Sequence, residues 1–100
     1  MVRVRIRYLL HLYTMIGHRE DLIDTPPDKT SVRAVIDMLV DKYGSEFGRT
    51  IIDPKTNKLR FHPSSEERLK AHRILLNGVN VMLINGGKTS LNDGDIISIY

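Results

Sequence analysis

Residues 2–8 alternate without exception: Val2, Val4, Ile6 and Tyr8 are apolar, and Arg3, Arg5 and Arg7 stand between them. Successive side chains of a pleated backbone point to opposite sides, so this period of two predicts a strand with one dry face and one wet face. The dry face has to be covered, and the three arginines have to stay in water. A secretory leader would instead show a continuous apolar core after its basic residues, so the expected compartment is the cytoplasm.

The cover is expected from residues 31–43, the strongest helical pattern in the chain. Val32, Val35, Ile36, Leu39, Val40 and Tyr43 fall at i, i+3, i+4, i+7, i+8 and i+11 and form a single stripe. Thr30 or Ser31 can cap its first amides, and Gly44 suits the residue after its end. With 100 residues there is room for one core of this kind and not for two, so residues 1–100 are read as a single domain.

The other segments are shorter. Residues 9–17 are apolar and predict an irregular or helical turn at the sheet edge, and residues 18–25 a second strand with Leu22 and Asp24 on opposite sides. Pro26-Pro27 stops that strand. Ile51-Ile52 and Leu59-Arg60-Phe61 flank a hairpin loop, and Ser64-Ser65-Glu66-Glu67 resembles a capping box opening a helix to about Ala71. Ile74-Leu75-Leu76 ends at the turn pair Asn77-Gly78. A brief apolar stretch, residues 79–83, and a flexible Asn85-Gly86-Gly87 turn follow. Asn92-Asp93-Gly94 then turns the chain into a last strand, residues 95–100. This order predicts an α+β fold with one main helix on one face of a mixed sheet.

Catalytic chemistry finds little support. The chain has no cysteine, which excludes thiolate metal sites, iron–sulfur clusters and thiol nucleophiles within it. His11, His18, His62 and His72 stand at no ligand spacing, so no metal is expected. Gly86-Gly87-Lys88-Thr89 fails as a phosphate loop, because the glycine required five residues before the Gly-Lys pair is Met82. No Gly-x-Ser-x-Gly elbow occurs. Catalytic residues and cofactors are therefore expected to be absent, and no apolar run approaches the roughly 18 residues of a membrane span.

The net charge of +3 is small, but it is unevenly spread. Residues 1–19 carry Arg3, Arg5, Arg7 and Arg19 and no acid, and residues 20–28 carry Glu20, Asp21, Asp24 and Asp28 and no base. A second basic stretch holds Lys55, Lys58, Arg60, Arg68, Lys70 and Arg73. Solvation of an ordinary surface explains such blocks, and so does docking to an acidic protein. Nucleic acid is not the expected partner, since Tyr and Phe number only six and none stands in a stacking motif.

Residues 74–99 are the specific part. Ile74-Leu75-Leu76-Asn77-Gly78, then Gly86-Gly87, then Leu91-Asn92-Asp93-Gly94-Asp95 resemble the C-terminal half of MoaD/ThiS-type sulfur carriers in residue type and spacing. The resemblance implies a β-grasp (ubiquitin-like) fold and a non-catalytic carrier. Its partners would be an adenylating enzyme of the ubiquitin-activating kind or a molybdopterin synthase large subunit, in molybdopterin synthesis or a related sulfur-transfer or protein-modifier pathway. Such carriers react through a Gly-Gly tail after the last strand, and this sequence ends at Tyr100 while its Gly86-Gly87 is internal. The alternatives are a tailless β-grasp module that docks non-covalently and, in another class, an RNA-binding module of the S4-like kind. Residues 62–73 are longer and more basic than the usual connection of the resembled family.

In a β-grasp sheet the first and last strands are neighbours. The resemblance therefore sets Arg3, Arg5 and Arg7 beside Ile96, Ser98 and Tyr100 on the face opposite the helix, with Ile97 and Ile99 inside. The candidate partner-binding residues are Arg3, Arg5, Arg7, Ser98 and Tyr100, and an arginine-rich face implies an acidic partner.

Overall fold

A computed structural model of the chain describes residues 1–59, 74–81 and 84–100. The opening alternation forms β1 (Val2–Tyr8), with Val4, Ile6 and Tyr8 buried and the arginines exposed. Residues 9–17, expected as an irregular or helical turn, hold a short helix, α1 (His11–Ile16), and β2 (Glu20–Thr25) returns antiparallel to β1.

Helix α2 (Val32–Tyr43) starts where its cap places it: Ser31 Oγ accepts from the Ala34 amide at 3.1 Å. Val32, Val35, Ile36 and Leu39 are fully buried, and burial at about 2 kcal/mol per side chain makes this stripe the main anchor of the helix. Gly44 ends it with φ of 95°, a backbone state open to glycine.

The chain then turns directly into a helix that the sequence reading did not anticipate, α3 (Ser45–Ile51), which buries Phe47 and Ile51. The expected hairpin follows as β3 (Ile52–Asp53) and β4 (Lys58–Leu59), a separate two-stranded ribbon. Arg33 ties that ribbon to α2 by donating to the Asn57 backbone carbonyl at 2.6 Å and to its side-chain oxygen at 3.0 Å. The capping box, residues 62–73, His62 and His72 lie outside the described residues.

Hairpin strands β5 (Ile74–Leu76) and β6 (Val79–Asn80) are joined by Asn77 and Gly78, whose φ values are 51° and 88°. Two positive φ values make the tight turn that suits a twisted hairpin. The last strand is β7 (Ile96–Ile99). The five-stranded sheet has the order β2-β1-β7-β5-β6, with β1 and β7 parallel and its other pairs antiparallel. Ile97 and Ile99 join Val4, Ile6 and the α2 stripe in one core on a single face. This is the mixed sheet and covering helix of a β-grasp fold.

Candidate protein-docking surface

The sheet face away from α2 carries Arg3, Arg5 and Arg7 on β1 and Ile96 and Ser98 on β7. Arg5 lies opposite Ile96 and Arg7 opposite Ser98, and Leu75 continues the second row on β5. Tyr100 follows the last strand and is half-buried. Strand β2 alters the expected electrostatics. Its register sets Asp24 opposite Arg3, Leu22 opposite Arg5 and Glu20 opposite Arg7. Arg3 Nε donates to Asp24 at 2.8 Å, and Glu20 receives Arg5 and Arg7, each at 3.8 Å. The Asp24 carboxyl is held below its usual pKa by that bond.

The arginine row is thus partly compensated by acids rather than bare. Leu22 and Asp24 share this open face, contrary to the expectation that they diverge, because residues two apart in a strand point the same way. The inward side of β2 is Asp21, Ile23 and Thr25.

Asp21 therefore faces the helix side of the sheet, where it gathers partners from β1, α2 and the turn before β2. The phenol of Tyr8 donates to it at 2.7 Å, Lys42 Nζ at 2.9 Å, and the phenol of Tyr43 makes a short bond. His18 Nε2 lies 3.2 Å from the same carboxylate and 2.7 Å from the Tyr43 hydroxyl. Partial burial alone would raise the Asp21 pKa, but bonds from Tyr43, Tyr8, Lys42 and His18 outweigh it and hold the carboxyl well below the ordinary range. Burial and the same carboxylate push the Tyr8 phenol upward. The donors saturate the acid, so the cluster works as a clamp between β1, β2 and α2 and not as a proton-transfer site.

The glycine- and asparagine-rich motifs are structural as well. Asn77 Oδ1 accepts from the Ile96 amide at 2.9 Å, and its Nδ2 donates to Asp95 at 3.0 Å. Asp93 accepts from the Arg3 amide at 2.8 Å, and Gly94 N donates to the Arg3 carbonyl at 2.8 Å. Gly86 and Gly87, expected with Asn85 as a flexible turn, lie in a 3₁₀ turn, Gly86–Lys88, against α2. A Cβ on Gly87 would come within 3.3 Å of Arg33 Cβ and 3.4 Å of Leu59 Cδ1.

One surface feature escaped the sequence reading. Where β1 and β7 end together, a cavity of about 380 Å³ is lined by Arg7, Leu9, Leu10, Tyr13, Arg19 and Glu20. The Leu9 amide donates to the Ile99 carbonyl at 3.0 Å, so this rim adjoins the end of the last strand. Among the described residues there is no group of His and acids that could hold a metal. None of the described helices is long and apolar enough to cross a membrane.

No family model matches the chain, and no curated protein matches it significantly. Solved structures do. The small archaeal modifier protein 1 (SAMP1) of Methanosarcina acetivorans shares 27% identity over 99% of this chain and 91% of its own, with a TM-score of 0.72. A putative molybdopterin converting factor subunit 1 of Pyrococcus furiosus matches at 19% identity and a TM-score of 0.72, covering 99% of this chain and 95% of its own. A chain of the Amycolatopsis orientalis BexX/CysO complex matches at 19% identity and a TM-score of 0.64, covering 97% of this chain and 92% of its own.

Strand order and these matches define the class: the chain has the fold of a ubiquitin-like, β-grasp protein. Within that class the match at 27% identity is to a small archaeal modifier protein, and the match to a molybdopterin converting factor subunit is one of fold.

Proposed function

We propose that the chain is a ubiquitin-like sulfur-carrier or modifier protein of the MoaD type. It acts as one β-grasp domain, is not itself a catalyst, and works by docking an adenylating enzyme or a synthase subunit. The observation that carries this reading is the 27% identity to a small archaeal modifier over 99% of the chain, joined to a matching fold. The Asn77 and Leu91–Asp95 motifs support it, because Asn77 ties the start of β7 to the end of β5 while Asp93 and Gly94 tie the turn before β7 to β1, and together they set the direction in which β7 ends. Docking uses the open sheet face, with Arg3, Arg5, Arg7, Ser98 and Tyr100 toward the partner. In vitro, the chain should bind the MoaD-type adenylating enzyme of its own organism in titration calorimetry, with a one-to-one stoichiometry. Absence of binding at concentrations well above those of such complexes would defeat the reading.

A further inference from the structure

The turn after β1 holds a leucine in a backbone state that leucine disfavours. Leu10 has φ of 53° and ψ of −125°, and the Leu12 amide donates to the Leu9 carbonyl at 3.1 Å across it. That geometry is a type II′ turn with Leu10 at the position glycine prefers, because a Cβ crowds the backbone there. The strain is not offset by packing, since Leu10 is 76% exposed. Leu9 at 37% and Tyr13 at 41% extend the exposed apolar surface beside it. A strained, solvated apolar side chain contributes nothing to this fold, which is the pattern expected of a residue kept for contact.

We propose that Leu10 is a docking anchor, inserting with Tyr13 into an apolar depression of the adenylating enzyme while Arg7 and Arg19 meet carboxylates at its margin. The charge of the rim calls for an acidic margin on the occupant. The rim carries Arg7 and Arg19 against the single acid Glu20, and the Arg19 guanidinium sits 5.6 Å from the Tyr13 ring centroid, so cation and aromatic face form one recognition element. Position selects the enzyme as that occupant. The Leu9–Ile99 backbone bond puts the rim at the end of β7, so an enzyme reaching for the end of that strand meets Leu10 in the same encounter. The identity of the occupant rests on the carrier reading; the anchor itself rests on the turn.

The test is titration calorimetry of the full chain with its organism's MoaD-type adenylating enzyme, using Leu10→Gly, Leu10→Met and Arg19→Glu. Leu10→Gly relieves the turn, so its melting temperature should equal or exceed that of the parent while its affinity falls about tenfold or more. Leu10→Met should retain most of the affinity, and Arg19→Glu should lose it. Parent-like affinity of a folded Leu10→Gly chain overturns the anchor and leaves the carrier reading standing. If the parent chain does not bind, the carrier reading fails and the named occupant falls with it. A concentration-dependent dimer that Leu10→Gly abolishes in sedimentation would overturn the proposal in favour of a second copy.

Discussion

Tyr8 on β1 and Asp21 on β2 are joined by a 2.7 Å phenol–carboxylate bond on the helix side of the sheet. Tyr8 is buried, so removing its acceptor strands a hydroxyl away from water. Asp21→Ala should therefore destabilise the protein by about 3 kcal/mol, since the Tyr43 bond is lost as well. Tyr8→Phe should cost only about 1 kcal/mol, because Asp21 keeps its other donors. Urea unfolding monitored by circular dichroism distinguishes the two, and similar losses for both would show that the carboxylate does not organise the cluster.

The same cluster sets the pH limits. The Asp21 pKa is depressed in the folded state, so its contribution is complete above the unfolded carboxylate value of about 4 and is lost as pH falls below it. The Tyr8 pKa is raised, so its contribution is complete below the unfolded phenol value of about 10 and fades above it. Stability should be flat between these limits in thermal melts. Asp21→Asn should shallow the acid-side decline.

Asn77 tests whether the motif shared with carriers is structural. Asn77→Ala removes the bonds to Ile96 and Asp95 and leaves a non-glycine residue at positive φ. A loss of about 2 kcal/mol is expected, with Asn77→Gly recovering the part due to backbone strain. Equal stability of the alanine and glycine variants would show that conformation plays no part at this position.

Reversal of the open-face charges separates docking from folding. Arg5→Glu with Arg7→Glu breaks two long, exposed pairs with Glu20, so stability should change by less than about 1 kcal/mol. Enzyme affinity should fall about tenfold and lose its salt dependence between about 0.1 and 0.5 M. An unchanged dissociation constant would remove the arginine row from the interface.

The sequence made the main frame legible because periodicity reports burial directly. The Val-Arg alternation, the Val32-to-Tyr43 stripe and the Ile97, Ile99 pair all occupy the sides their spacing implies. Other features depend on partners distant in sequence. Helix α3 has only Phe47 and Ile51 as buried marks, with Gly48 between them, so no stripe announces it. Asp21 sits on the inward phase of a strand whose alternation is muddled by two adjacent apolar residues, Leu22 and Ile23. The blocks of base and acid at residues 1–19 and 20–28 were visible, but only register turns them into a paired ladder. The apolar turn at residues 9–17 was legible, but the exposure of Leu9, Leu10 and Tyr13 within it follows from backbone geometry that composition does not report.

Strand β7, the last of the described strands, occupies the middle of the sheet, between β1 and β5. While the chain is being synthesised, the β1–β2 hairpin and the β5–β6 hairpin have no strand between them, and the core lacks Ile97 and Ile99. Folding therefore waits on a closure between residues about ninety positions apart, which slows assembly and makes it cooperative. A ribosome-bound chain halted before β7 should remain protease-sensitive throughout, and release of β7 should protect both hairpins together.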